Sequence, residues 1–73
     1  MLRGTVKTWD DEAGRGVLCS PDLPGDVLAE AGAVRGRPSS LAEGAAVLFD
    51  YEAADQDGFG FRARWVRPRP VTA

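Results

Sequence analysis

Few residues in this sequence are equipped for chemistry. Its 73 residues include no histidine and one cysteine, so the commonest general base and the commonest metal ligand are both missing. Cys19 has no second thiol for a disulfide or a metal site. A reactive thiolate there would need a nearby cation, and Arg15, on the same parity of the same segment, is the candidate for it. No nucleophile–base pair is visible, which argues against an enzyme. The run Asp10-Asp11-Glu12 lacks the further ligands of a hard-metal site and reads as a solvated turn. No cofactor and no metal are expected. What remains is cationic and aromatic surface: Lys7, Trp9 and Arg15 around one turn, Arg35 and Arg37 in a second segment, and Arg62, Arg64, Arg67 and Arg69 near the C-terminus. Cations neutralise phosphate, and exposed rings stack on unpaired bases. The C-terminal cations beside Pro68 and Pro70 equally suit protection of an edge strand.

Such side chains need a scaffold, and the chain is short. It has room for one small domain, in which folding buries roughly 60% of the surface an unfolded chain exposes. Nine basic against eleven acidic residues give a net charge of −2, so bulk electrostatics repel a polyanion slightly and local patches decide. No apolar run approaches the length of a membrane span, and no leader pattern opens the chain. The expectation is a soluble, cytoplasmic protein with no membrane contact.

The hydrophobic pattern is that of strands. Leu2 to Trp9 holds β-branched and aromatic residues, with Leu2, Gly4, Val6 and Thr8 on one face and Arg3, Thr5, Lys7 and Trp9 on the other. Asp10 to Gly14 reads as a hairpin turn, and a second strand follows from Arg15 to Cys19. Ser20 to Gly25 is dense in turn formers. Val27-Leu28-Ala29 is a third short strand, and Ala29 to Val34 has room for one helical turn. Arg35 to Ser40 reads as a loop. Ser40-Leu41-Ala42-Glu43 has the form of a capping box, with Gly44 limiting it to one turn.

The fourth strand is the clearest, because Val47, Phe49 and Tyr51 alternate with Leu48, Asp50 and Glu52. Asp55 to Gly58 is the next hairpin turn, and Phe59 to Val66 the last strand. There, Phe59, Phe61, Ala63 and Trp65 share one parity, which favours Trp65 in the core. Five short strands and almost no helix predict an all-β fold, a five-stranded antiparallel barrel, since closure removes exposed edges. Val47, Phe49 and Tyr51 are expected inside it with Val6, Leu18 and Val27.

The order and spacing of several short motifs resemble a known family. Gly4-Thr5-Val6-Lys7, an aromatic at Trp9, Asp11-Glu12, and Gly14 and Gly16 two apart resemble the opening of bacterial cold shock domains. Asp26-Val27 is similar to the start of that family's third strand, and Ala33-Val34 to the pair that follows it. Ser40-Leu41-Ala42-Glu43-Gly44, then Val47 and Phe49, resemble its approach to strand four. The resemblance covers Met1 to about Arg67, a domain of 1–67, leaving 68–73 as a tail. It implies an OB-type Greek-key barrel that binds single-stranded RNA or DNA and catalyses nothing.

In that family two strand motifs carry aromatic rings that stack on bases, and most of them are replaced here. The tryptophan after the first-strand lysine is Thr8, with the aromatic one position later at Trp9. The phenylalanines flanking the central glycine of strand two are Arg15 and Val17. In the third strand Leu28, Glu30 and Ala31 stand where phenylalanine, histidine and phenylalanine are expected, and no aromatic lies around Arg37-Pro38. Losing about six stacked bases at about 1 kcal/mol each removes roughly 6 kcal/mol, on the order of 10⁴-fold in affinity. Arginine replaces part of this by stacking and by pairing with phosphate.

The resemblance therefore implies weak, mainly electrostatic binding of single-stranded nucleic acid by Lys7, Trp9, Arg15, Val17, Leu28, Arg35 and Arg37. Trp9 is equally suited to cover the barrel's mouth as a half-buried ring. The alternative is a protein- or small-ligand-binding module in which Val17, Leu28 and Ala31 form an apolar patch.

Overall fold

Alternating β-branched and aromatic residues, interrupted by glycine and proline, build five strands. They are β1 (Leu2–Asp10), β2 (Arg15–Cys19), β3 (Val27–Glu30), β4 (Ala46–Gln56) and β5 (Phe59–Pro68), with a 3₁₀ turn at Ala31–Ala33. These assignments come from a computed structural model, which describes residues 1–36, 40–56 and 58–69. Among them no helix is long and apolar enough to cross a membrane.

The strands close into a barrel in the order β1-β2-β3-β5-β4. The expected all-antiparallel pairing does not hold. β3 runs parallel to β5, with Val27 opposite Phe61 and Leu28 opposite Arg62, and a parallel bridge joins Val34 to Val66. The other four pairings are antiparallel. The reason is topological: directions cannot alternate all the way around a closed ring with an odd number of strands. One parallel neighbour is unavoidable, and here it is the β3–β5 pair.

Phe49, Leu18, Val6, Val27, Val47 and Val66 fill the interior and are fully buried. Of the expected core residues Tyr51 and Trp65 differ. Tyr51 is half-buried at the margin, its ring edge-on to Phe61 at 5.6 Å between centroids. Gly4 is needed where β1 crosses Phe49, because a Cβ there would come within 2.7 Å of that ring and of the Cys19 carbonyl.

Two bulges overturn the expected parities. In β1, Val6 lies opposite Leu18 but Thr8 lies opposite Val17, so one extra residue, Lys7, interrupts the alternation. Thr8 is consequently exposed, and Trp9 turns inward to pack against the core. In β5, Trp65 pairs with Asp50 but Ala63 with Tyr51, so Arg64 is the extra residue. Val66 takes the core position opposite Phe49, and Trp65 is displaced outward from the core expected for it.

The Ser40–Glu43 segment forms no helix. Gly44 adopts a φ of 86°, its N–H donates to the Val6 carbonyl at 2.8 Å, and the Val6 N–H donates to Ala45 at 3.0 Å. Pairing with β1 satisfies these backbone groups better than one isolated turn does. Leu41 is buried against the core. At the other end, ordered pairing reaches beyond Arg67: Pro68 faces Val47, and the Arg69 N–H donates to the Ala46 carbonyl at 2.9 Å.

Candidate nucleic-acid interface

The outer surface of β1–β3 is where the resemblance places a bound strand, and its side chains form rows across the sheet. One row runs Thr8, Val17, Leu28, Arg62 and Glu52. A second runs Asp10, Arg15 and Glu30. Residues directly opposite in a ladder share a face and interact, so these rows decide what each side chain can offer.

Lys7, displaced by the bulge, reaches Asp26, with Nζ donating to Oδ2 at 2.9 Å. That hydrogen bond, and then the carboxylate's charge, raise the Lys7 pKa above its ordinary value. Arg15 is exposed and stands in register between the carboxylates of Asp10 and Glu30. The two cations of this face thus sit among anions of the same chain.

Val17 is half-buried and Thr8 exposed, a shallow surface without a ring. Leu28 is only 2% exposed, although its parity is outward and it lies outside the central core cluster. Its ladder neighbours are Val17 and Arg62, and arginine stems cover apolar surface readily. Arg62 is itself fixed, donating to Glu52 at 2.9 Å and to Gln56 at 3.2 Å. Leu28 therefore presents no surface on which a base could stack. The apolar patch expected of Val17, Leu28 and Ala31 is interrupted at its middle residue. Ala31 is half-buried in the 3₁₀ turn, its N–H donating to the Gly14 carbonyl at 2.7 Å.

Trp9 lies over Gly16, where a Cβ would meet its ring at 2.6 Å. Its indole Nε1–H donates to Asp11 Oδ1 at 2.8 Å, and the Ser40 hydroxyl donates to the same oxygen at 2.8 Å. Those two bonds, Ser40 first, lower the Asp11 pKa below its ordinary value. The ring is part of a clasp between the β1–β2 hairpin and the segment leading into β4.

Arg35 does not join this face. Its N–H donates to the Val66 carbonyl at 2.7 Å, which sets it beside β5. Arg37 lies outside the described residues. Cys19 is half-buried, its Sγ 3.7 Å from the Thr5 carbonyl oxygen. The structure thus brings together Lys7, Thr8, Arg15 and Val17, covers Leu28, turns Trp9 inward and moves Arg35 to another surface. The pairings of Lys7 with Asp26 and of Arg62 with Glu52 were not read from the sequence, because each joins residues that only the barrel brings near. Compared with known families and curated proteins, the sequence matches no family model and no curated protein.

Proposed function

We propose that this domain is a cold-shock-like module on an OB-type Greek-key barrel that binds single-stranded RNA or DNA, weakly and mainly through charge. The observation that supports it is the setting of Lys7 and Arg15 on rigid strands of a closed barrel, beside the open surface of Thr8 and Val17. The Lys7–Asp26 pair is exposed on both sides, and exposed pairs stabilise little, so phosphate competes for the lysine. Without a row of rings, affinity depends on counterion release rather than on stacking.

The test is a titration with single-stranded oligonucleotides at several salt concentrations. Each neutralised phosphate contributes a slope of roughly −0.7 in log K against log salt, so Lys7 and Arg15 together give about −1.4. A slope near zero overturns the electrostatic reading. Absence of binding at low salt favours the second reading, a protein- or small-ligand-binding barrel. The observation behind that reading is the abundance of carboxylates around both cations, Asp26 for Lys7 and Asp10 with Glu30 for Arg15.

A further inference from the structure

The two sides of the barrel differ in charge. On the β1–β3 surface Lys7 and Arg15 share their setting with Asp10, Asp26 and Glu30. Across the barrel, the outer surface of β1, β4 and β5 is organised around arginine. Arg3 of β1 faces Leu48 of β4, and Leu48 faces Arg67 of β5. The Val34–Val66 bridge then sets Arg35 alongside Arg67. Arg69, two residues along the chain from Arg67, lies beside Ala46. Neighbouring strands lie about 4.8 Å apart, so the Arg3 and Arg67 backbones are about 10 Å from one another.

The way these cations are held separates them from Lys7. The Arg67 guanidinium lies over the Trp65 ring, 5.9 Å from its centroid. A ring holds a guanidinium without neutralising it, whereas a carboxylate cancels its charge. Arg3, Arg35, Arg67 and Arg69 are exposed, and none makes an ion pair among the described residues. Arg64 reaches Glu52 only at 4.0 Å and stays 60% exposed. Leu48 and Trp65 are half-buried, face outward and lie outside the core cluster. Asp50, opposite Trp65, places a carboxylate on this surface.

We propose that this arginine row, with Leu48 between Arg3 and Arg67 and Trp65 beside Arg67, is the principal docking surface of the domain and takes single-stranded nucleic acid. The proposal rests on the reading that the domain binds such strands, and changes where they bind. Charge complementarity selects a polyanion. An aromatic ring and guanidinium planes set beside apolar surface select one that carries bases, because those groups stack. The bulge at Arg64 makes the site: it turns Trp65 outward, where uninterrupted alternation would bury it.

The experiment uses the full chain and a labelled oligothymidylate, read by anisotropy. Replacing both Arg3→Gln and Arg67→Gln should weaken binding at least about tenfold and flatten the salt slope by about 1.4, two phosphates at roughly 0.7 each. Asp50→Asn should tighten binding, a gain that misfolding cannot imitate. With Trp9→Phe leaving Trp65 as the single tryptophan, the oligonucleotide should quench its emission. A loss confined to the Lys7→Gln, Arg15→Gln pair, with the Arg3 and Arg67 changes silent, overturns the proposal while the nucleic-acid reading stands. If the parent binds no oligonucleotide at low salt, both readings fail. If it instead binds a polyglutamate peptide through Arg3 and Arg67, the surface belongs to an acidic protein segment and the proposal fails.

Discussion

Asp11 shows how much one carboxylate can organise in so short a chain. It accepts from Ser40 Oγ and from Trp9 Nε1, joining residues far apart in sequence, and its pKa is held below the ordinary value by those bonds. A group whose folded pKa is depressed stabilises the fold fully above its unfolded pKa, about 4 for an aspartate, and loses that contribution as pH falls through the folded value. Asp11→Asn should therefore lower the melting temperature near neutral pH and flatten its decline below about pH 4, as seen in melts of both proteins across that range. Gly16 is a second such position. Its α-hydrogen faces Trp9, and a methyl group would collide with the Thr8 carbonyl and the indole. Gly16→Ala should cost about 1–3 kcal/mol in denaturant titrations. It should also shift Trp9 emission to the red as the ring is pushed into water.

At the scale of elements, the row Thr8, Val17, Leu28 decides whether the β1–β3 surface can be made aromatic. Thr8 is exposed and Val17 half-buried, opposite one another in the ladder, so rings at both would be reachable by bases. Thr8→Trp with Val17→Phe should strengthen oligonucleotide binding at least tenfold, since two stacked bases at about 1 kcal/mol each supply roughly 2 kcal/mol. Unchanged affinity in a folded variant would show that the surface takes no nucleic acid. Leu28→Phe behaves differently. The site is already closed between Val17 and Arg62, and the larger ring should destabilise by about 1–3 kcal/mol. Equilibrium unfolding of the single variant measures this, and a neutral result would mean the surrounding side chains part freely.

For the molecule as a whole, stability rests on a small interior. Phe49 is the largest fully buried side chain, among Val6, Leu18, Val27, Val47 and Val66. Phe49→Ala should cost about 3–5 kcal/mol, most of what a domain of this size has to spare. Loss of a cooperative thermal transition is the expected result, and an unchanged melting temperature would overturn the assignment of Phe49 to the core. Charge is also a property of the whole barrel. The net value of −2 conceals an arginine-rich surface and a carboxylate-rich one, so substitutions of equal charge on the two sides should differ in their effect on anion binding.

Much of the local structure was legible in the chain. Alternation marked Val47 and Phe49 as buried and placed the strands, while turn residues at Gly14 and Gly58, both with positive φ, marked the hairpins. These signals are local, since side chains alternate every two residues and glycine alone tolerates left-handed backbone. The bulges at Lys7 and Arg64 were not legible, because an extra residue becomes visible only against the partner strand. They reversed the faces of Trp9 and Trp65. The parallel β3–β5 pair, the closing of Leu28 and the Lys7–Asp26 pairing were likewise settled by closure, which brings together residues distant in sequence. The sequence by itself determined an all-β chain, its strands and most of its core. Tertiary structure alone decided which cations face carboxylates and which face a ring, because that depends on register across the barrel and not on spacing along one strand.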